Sequence, residues 1–460
     1  MNFFKLLLKP TTLVLLLTTV FVFISCDPDD DDDEVSIETA LAKDYDGDVV
    51  TSWIRVFSEV ERHAPGYRPG PAPRALAYLG LAAYEATITA MPEYNSLESI
   101  YRAQGLDIPN IEQGVTYHWP TVVNASYGYL MKRFFPHVKA ELRFKISSTE
   151  TQFDVKYLET EGVPRDIFER SKRYGQSVAE AVYSWSSTDK TGHEAFRDPR
   201  PSNYVPPTGE GKWIPTYPDA GAAMFPSWGE ARTFAIKGEE RLCLPPLEYS
   251  ADKNSPLYKE AMEVYTKNTP KLDYEEQWIA EYWSDDALDI TFSPPTRFIV
   301  IANQVLEAKK ANLELAVYTA AKVGISLNDA GVAAWHSKYY YNIERPVTYI
   351  RREIDPSWEP HLWFTPSFPA YPSGHATFGA AGSEALTSIF GDKYAMVDRS
   401  HEGRIDFLGT PRSFKSFYEM AEENAYSRIP LGVHFRMDAE EGLRLGYAIG
   451  RKVSSLPWKK

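Results

Sequence analysis

The stretch FPAYPSGHATFGAAGSEAL, residues 368–386, joins a proline-rich approach to a run of small and apolar residues with helical spacing. The prolines favour an extended backbone, and Ser373 is a good N-cap for the helix that follows. The first turn of a helix exposes unpaired N–H groups and the positive end of its dipole, which favours an anion. Gly374 would let an oxyanion approach the backbone, and His375 adds a titratable imidazole. Taken alone, the pattern fits a capped core helix equally well.

Helical spacing extends through most of the chain, with apolar residues recurring at intervals of three and four. Helices are predicted over residues 49–61, 75–91, 121–133, 138–161, 167–185, 256–265, 274–283, 296–311, 314–341, 373–390, 413–428 and 438–455. No clear alternating strand pattern competes with them. The sequence therefore predicts an all-α fold with a helical-bundle core, built from one or two packed bundles.

A proline-rich segment interrupts the helices between residues 199 and 246. It contains nine prolines in 48 residues, which exclude regular helix. Aromatic residues are interleaved with them and argue against disorder. We expect an ordered loop folded over a surface, either as a lid or pocket wall or as a strap with no role in function.

Composition excludes one class of function. The 460 residues are 43% hydrophobic, enough for a large core, and the net charge is −14. Seven of the acidic residues lie within residues 27–34, yet the remainder of the chain is still acidic. Such a chain offers no basic surface of the kind that nucleic acid needs, so no nucleic-acid partner is expected.

The N-terminus has the pattern of an export signal. Lys5 and Lys9 precede an apolar run over residues 11–24, which is too short for a comfortable membrane span. The run ends in FISC, and this tetrapeptide resembles the lipobox of bacterial lipoproteins with Cys26 as the lipidated residue. The acidic run after it looks like the export tag of some surface lipoproteins of Bacteroidetes. An uncleaved signal anchor with a disordered tail is the alternative.

This pattern divides the chain into three parts. Residues 1–25 are expected to be a lipoprotein signal peptide and residues 26–40 an acidic tether. Residues 41–460 are expected to form the α-helical domain. Lipidated Cys26 would anchor the protein in the bacterial outer membrane, with the cell surface favoured and a periplasm-facing arrangement as the alternative.

Three short segments in the last third of the chain carry side chains suited to an anion. Each is weak evidence alone, since a lone histidine or a pair of cations is usually structural or solvated. The candidates are Lys338 and Arg345 in the first segment, Ser373, Gly374 and His375 in the second, and Arg428, His434 and Asp438 in the third.

The order and spacing of these segments carry a resemblance. Lys-x6-Arg-Pro, Pro-Ser-Gly-His and Ser-Arg-x5-His resemble the three-part signature shared by type 2 phosphatidic acid phosphatases, bacterial acid phosphatases and vanadium-dependent haloperoxidases. The resemblance is sharpest over residues 335–438 and implies the helical-bundle fold of that superfamily with long proline-rich loops.

The resemblance also implies roles for the candidates. A tetrahedral vanadate or phosphate carries two or three negative charges, which must be neutralised in a dry pocket. Its oxygens would be bound by Lys338, Arg345, Ser373, Gly374 and Arg428. His434 would approach the central atom, Asp438 would fix the tautomer of His434 from the same helical face, and His375 would serve as acid or base.

Two chemistries use such a site. In a phosphatase, His434 is the nucleophile and forms a phosphohistidine, while His375 protonates the leaving alcohol. In a haloperoxidase, His434 is a permanent ligand of the vanadium, His375 helps deprotonate hydrogen peroxide, and Lys338 polarises it. The products of the second reaction are hypohalous acid and water.

Three features favour the haloperoxidase. No later apolar run is long enough for the membrane spans of phosphatidate phosphatases, and soluble acid phosphatases are about half this length. FPAYPSGHATFG and the Trp335-x-x-Lys338 pairing resemble the haloperoxidase branch, in which Trp335 and Phe368 would line the halide side. The overall layout is most similar to iodoperoxidase-like proteins of marine Flavobacteriia, so iodide is favoured and bromide comes second. The alternatives are a phosphomonoesterase with His434 as nucleophile and a binding protein that has lost turnover.

Overall fold

The computed structural model describes residues 40–216, 221–268, 272–285, 287, 289–362 and 364–460. The predicted signal peptide, the lipidated Cys26 and the acidic tether up to residue 39 lie outside the described residues. Thr39–Lys460 form one unit by their internal contacts. Within the described ranges, no helix is both long and apolar enough to cross a membrane.

The described part is predominantly helical, which confirms the all-α prediction. The helices are α1 Asp48–Arg62, α2 Pro71–Thr87, α3 Glu98–Tyr101, α4 Trp119–Phe134, α5 Ala140–Val155, α6 Arg165–Ser187, α7 Lys190–His193, α8 Pro256–Lys267, α9 Tyr274–Tyr282, α10 Pro294–Ala308, α11 Leu313–Tyr341, α12 Pro346–Glu353, α13 Gly374–Phe390, α14 Phe417–Tyr426 and α15 Arg436–Ser454. A π-helical turn, Lys156–Thr160, follows α5 directly.

One predicted helix differs from the structure at its start. The helix expected over residues 413–428 is wrong at its start, because Arg412–Phe414 form strand β2, which pairs antiparallel with β1, Met396–Asp398. Helix α14 begins only at Phe417, since the Ser416 side chain caps it by accepting the Glu419 N–H at 3.1 Å. Three-residue strands are too short for an alternating pattern to show in the sequence.

The core is built around the long helix α11. It packs against α2 on one side and α13 on the other, and α13 packs in turn against α15. Glycines permit these close approaches: a Cβ on Gly80 of α2 would lie 2.7 Å from Ala321 Cα, and one on Gly446 of α15 would lie 2.3 Å from Thr377 O. Helix α11 therefore lies at the centre of the bundle, with the start of α13 near its C-terminal end.

The proline-rich segment packs as an ordered loop over its described residues. The buried Asp329 carboxylate on α11 accepts the N–H groups of Phe234, Ala235 and Ile236 at 2.8, 2.7 and 3.2 Å. Further back, the Met224 N–H donates to Ser367 O at 2.8 Å, just before the residues that lead into α13. The segment is thus attached both to α11 and to the approach to α13.

Candidate active site

The start of α13 forms one wall of the site. Ser373 is its N-cap, and the Ser373 Oγ accepts the Ala376 N–H at 3.3 Å, so the hydroxyl keeps its proton for another partner. The Ser373 N–H donates to Asp438 O at 2.8 Å, which joins this turn to the start of α15. Gly374 and His375 occupy the first helical turn, where N–H groups have no partner within the helix.

Lys338 lies in the last turn of α11 and is fully buried. Helix α11 ends where Asn342 adopts a left-handed conformation, φ 53°, and this turn directs the chain towards Arg345. The Lys338 Nζ donates to three backbone carbonyls, those of Pro369, Ala370 and Pro372, at 2.9, 2.7 and 2.6 Å. Burial, reinforced by Arg345, lowers the pKa of Lys338 well below its usual range. An additional anion oxygen would have to replace one of these carbonyls.

Arg345 connects all three signature segments. Its Nε and Nη2 donate to Phe368 O at 3.1 and 2.9 Å, and its Nη1 donates to Val433 O at 3.0 Å. The same Nη1 lies 3.1 Å from His434 Nε2. Burial lowers the pKa of Arg345 to about 10, which still leaves the guanidinium charged at neutral pH.

His434 has a defined tautomer. Because a guanidinium can only donate, His434 Nε2 must accept from Arg345 and carry a lone pair. The proton therefore resides on Nδ1, which lies 2.8 Å from Asp438 Oδ2. Burial and the neighbouring Arg345 lower the pKa of His434 well below its usual range, so the ring is neutral. Burial raises the pKa of Asp438 to about 7, against the opposing effect of Lys338 and Arg345.

His375 and Arg428 form a second imidazole–guanidinium pair of the same kind. Arg428 Nη1 lies 3.3 Å from His375 Nε2, which must likewise accept the bond. Arg428 is held by Nη2 donating to Trp283 O at 2.6 Å and by Nε donating to Ser427 Oγ at 2.9 Å. Burial, and secondly Arg428, lower the pKa of His375 well below its ordinary value. The ring is a neutral base with its Nε2 lone pair in the site.

These groups form a buried, electropositive site, called here the oxyanion cradle. Its members are the buried Lys338, Arg345, Ser373, Gly374, Arg428, His434 and Asp438, together with the half-buried His375. Three cations face one carboxylate hydrogen-bonded within the cradle, and both imidazoles are neutral. Buried charge needs compensation, so the cradle suits a multiply charged oxyanion and repels a bare metal cation.

An aromatic pair borders the cradle. The rings of Trp335 and Phe368 are 4.9 Å apart at their centroids, and the Phe368 ring lies 5.2 Å from Lys338 Nζ. The Trp335 Nε1–H donates to Met224 O at 3.3 Å. The indole therefore presents its apolar ring to the site while its one N–H is engaged by the proline-rich segment.

A cavity of about 730 Å³ leads to the cradle. Its lining includes Gly374, His375, Arg428 and His434 of the cradle. The proline-rich segment contributes Pro199, Arg200 and Met224 to the wall, so the segment predicted as a lid, a pocket wall or a strap forms part of the cavity wall.

The three predicted segments thus converge on one site, and Trp335 and Phe368 lie beside it. Sequence reasoning assigned no role to Met224, which orients Trp335, and nothing in the sequence marks it. It also missed a second buried group, called here the Arg297 cluster: Asp285, Arg297, Asp398 and His401. Within this cluster, Arg297 contacts Asp285 at 3.2 Å and Asp398 at 2.9 Å. The signal is the pair of stretches WSDD, residues 283–286, and PPTRF, residues 294–298, which place an acidic residue and an arginine close together in the sequence.

Comparisons with known proteins agree on one family. Residues 318–457 match the family model described as the VCPO second helical-bundle domain. The vanadium chloroperoxidase of Curvularia inaequalis is 26% identical over 354 residues, covering 60% of this chain and 58% of that protein. A crystal structure of a bacterial vanadium-dependent iodoperoxidase is 27% identical and superposes with a TM-score of 0.76, over 90% of this chain and 98% of the other.

These similarities support the vanadium-dependent haloperoxidase family for this chain. A second curated member, the vanadium-dependent bromoperoxidase of Ascophyllum nodosum, is 35% identical over 94 residues, which are 18% of this chain and 17% of that protein. The chain spans less than two thirds of the length of both curated members. A bacterial vanadium-dependent chloroperoxidase shares the fold, with a TM-score of 0.61 at 16% identity over 86% of this chain and 94% of the other. The predicted helical-bundle fold of the haloperoxidase type is therefore confirmed.

Proposed function

We propose that this chain is a vanadate-dependent haloperoxidase that oxidises halide with hydrogen peroxide to hypohalous acid and water. The observation that carries the proposal is the pair of Nε2 lone pairs, on His434 and His375, which accept from Arg345 and Arg428 at 3.1 and 3.3 Å. One imidazole is available as a ligand and the other as a base. The similarity to vanadium-dependent haloperoxidases supports this assignment.

Vanadate fits the residues that are present. Within the cradle, the His434 ring has its tautomer fixed by a buried carboxylate, which leaves the lone pair on Nε2. His434 would therefore hold the vanadium. The groups that would hold the oxygens are Lys338, Arg345, Ser373, Gly374 and Arg428. When bound, vanadate supplies a Lewis-acidic centre at which hydrogen peroxide is activated for attack by halide.

The side chains perform three tasks around that centre. Asp438 keeps the proton of His434 on Nδ1, which preserves the lone pair on Nε2. Arg345 and Arg428 are held by backbone carbonyls, so their charges are already in place. His375, neutral at neutral pH, accepts a proton from incoming hydrogen peroxide at Nε2.

Iodide is the proposed preferred halide, with bromide second. The wall beside the cradle is formed by the rings of Trp335 and Phe368, and the Trp335 N–H is directed away to Met224 O. Such a wall offers little solvation to a small, strongly hydrated anion, whereas a large and weakly hydrated one loses less on entering. Iodide is also the halide that is easiest to oxidise.

The test uses protein lacking residues 1–26, stripped with chelator and then reloaded with orthovanadate. Triiodide formation from iodide and hydrogen peroxide is followed beside hydrolysis of p-nitrophenyl phosphate. Vanadate should restore iodide oxidation, and the stripped form should be at best a slow phosphatase. Brisk ester hydrolysis by the stripped form, with vanadate acting only as an inhibitor, would instead make His434 a phosphohistidine nucleophile and the chain a phosphomonoesterase. Bromide turnover equal to iodide turnover at equal concentration would overturn the halide preference.

We also propose that Cys26 is lipidated and anchors the protein in the outer membrane, facing the cell surface. The support is the apolar run over residues 11–24 that ends in FISC and the acidic run after it. Metabolic labelling with a palmitate analogue should mark the wild type and not a Cys26→Ser variant. Protease added to intact cells should degrade the anchored protein, and full protection would indicate a periplasm-facing arrangement.

A further inference from the structure

One oxidisable sulfur lies in the wall of the cavity that leads to the cradle. Among the described residues that line this cavity, Met224 is the only methionine and none is a cysteine. The Met224 side chain is half-buried and packs against the main core. A thioether is soft and readily oxidised to a sulfoxide, whereas the aliphatic and phenyl side chains of the wall resist such oxidation. Met224 therefore carries the sulfur that an oxidant in the cavity would meet.

Backbone hydrogen bonds fix the position of Met224. Its N–H donates to Ser367 O at 2.8 Å, and its carbonyl accepts the Tyr339 hydroxyl at 2.6 Å and the Trp335 Nε1–H at 3.3 Å. The next residue, Phe225, is buried, which anchors the chain on that side. The Met224 sulfur therefore belongs to a fixed part of the wall.

The other sulfur groups provide internal controls. Cys243 is buried and outside the cavity lining, and burial raises the pKa of its thiol to about 12, so little of the reactive thiolate is present. Met262 on α8 and Met396 in β1 are half-buried like Met224 but do not line the cavity. An oxidant that arrives from solvent can reach all three methionines, whereas one formed at the cradle reaches Met224 first.

We propose that Met224 is a self-oxidation site, converted to methionine sulfoxide by hypohalous acid before that acid leaves the cavity. The proposal rests on the proposed function, which supplies the oxidant. The thioether sulfur attacks the halogen and displaces hydroxide, and water then adds to the sulfur as halide leaves. Two protons are released, and one of them neutralises the hydroxide. The sulfur loses two electrons and the halogen is reduced to halide, so no other oxidant is needed.

Oxidation of Met224 limits the activity of the enzyme. The sulfoxide places a polar oxygen where an apolar thioether packs against the core. Any resulting shift of Met224 moves the carbonyl that holds the Trp335 indole, and it also strains the bond to Ser367, the residue before Phe368. The aromatic pair beside the cradle is thereby disturbed, and the rate falls as the sulfoxide accumulates.

The first experiment maps oxidation in the wild-type protein. Vanadate-loaded protein turns over iodide and hydrogen peroxide in the presence of excess free methionine, which captures any acid that escapes, and peptide mass spectrometry then measures each sulfoxide. Met224 should be oxidised about tenfold faster than Met262 and Met396, because acid formed beside it has a high effective concentration. Reagent hypoiodous acid added to the stripped protein should lose this preference, and peroxide without vanadate serves as the blank.

The second experiment measures the loss of activity during turnover. Triiodide formation without free methionine is followed over many cycles in wild type, Met224→Leu and Met262→Leu, with each rate divided by its own initial value. The loss per turnover should be about fivefold smaller in Met224→Leu, since leucine has a similar volume and no oxidisable sulfur. Met262→Leu is the matched control and should lose activity as fast as the wild type.

The outcomes separate this proposal from the proposed function. Equal oxidation of the three methionines during turnover, or oxidation of Trp335 with Met224 intact, would overturn the self-oxidation site while halide oxidation stands. Equal loss of activity in Met224→Leu and Met262→Leu would overturn the limit on activity. Absence of triiodide from the vanadate-loaded protein would overturn the proposed function, and the self-oxidation site with it, because no oxidant would form.

Discussion

The oxyanion cradle and the Arg297 cluster are both buried groups of charged side chains, but they differ in the ratio of cations to carboxylates. In the Arg297 cluster, one guanidinium contacts two carboxylates, Asp285 at 3.2 Å and Asp398 at 2.9 Å, and His401 donates to Asp285 at 2.7 Å. In the cradle, three cations face the single carboxylate hydrogen-bonded within it. A cluster in which every charged side chain contacts an opposite charge has a structural role, whereas one with excess positive charge is completed by an anionic ligand.

The pKa directions express the same difference. Burial raises the pKa of Asp285, but Arg297 and His401 hold it below its ordinary value. The pKa of Asp398 is also lowered by Arg297 despite burial. In the cradle, burial instead lowers the pKa values of Lys338 and Arg345, because no comparable excess of anions stabilises their charges.

The largest effect is expected from replacing His434, the proposed ligand of the vanadium. His434→Ala should abolish vanadate retention and all halide oxidation, since it removes the only imidazole whose lone pair is fixed by Asp438. Vanadium content after gel filtration and triiodide formation measure the two losses. Retention of vanadium by His434→Ala together with its loss in His375→Ala would reverse the assigned roles.

A smaller but still large effect is expected from replacing His375, the proposed base. His375→Ala should retain vanadate and slow peroxide activation by about two to four powers of ten, the usual loss of a general acid or base. The measurement is kcat with iodide at saturating vanadate, with vanadium content as the control for loading. An undiminished kcat would exclude His375 as the proton acceptor.

The Arg297 cluster should instead control stability. Arg297→Met leaves two buried carboxylates without their cation and should lower the free energy of unfolding by about 3–5 kcal/mol. The matched cradle variant, Arg428→Met, leaves the Trp283 carbonyl, the Ser427 hydroxyl and the His375 Nε2 without this donor. It also removes one of three clustered cations, so it should cost about 1 kcal/mol in the stripped protein. Urea unfolding of both proteins measures the contrast. Equal losses would contradict the division between structural and ligand-binding clusters.

The smallest effect concerns pH. Burial, reinforced by Arg297, lowers the pKa of His401 from 6.5 to about 4 despite its bond to Asp285. The unfolded chain therefore binds the proton first, and stability falls as pH decreases from about 6.5 towards 4. Between pH 7 and pH 5, His401 should account for about 2 kcal/mol of this loss. Urea unfolding of wild type and His401→Gln at both pH values tests it, and identical losses would exclude His401 as the cause.

Much of the fold and the cradle could be predicted from the sequence, for identifiable reasons. Helical spacing is a strong local signal over long segments such as α11, and the signature places its cations at fixed intervals. The sequence did not predict the strand Arg412–Phe414, because this strand forms by pairing with the distant strand β1. The start of α14 was also not predicted, because it is set by the Ser416 cap after that strand.

Contacts between residues far apart in the chain could also not be predicted from the sequence. The three carbonyl partners of Lys338 depend on how the approach to α13 folds back over α11. The role of Met224 in orienting Trp335 depends on where the proline-rich segment crosses the site. Neither arrangement follows from the spacing of residues along the chain.

The backbone bonds of the cradle cations have an evolutionary consequence. Lys338 holds the approach to α13, and Arg345 holds both Phe368 O and Val433 O, so these side chains secure the chain as well as face the ligand. The side chains of His375 and His434 make no comparable hydrogen bonds to backbone carbonyls. A descendant of this protein that abandoned catalysis would be free to lose its histidines early, while selection for folding alone would preserve the two cations.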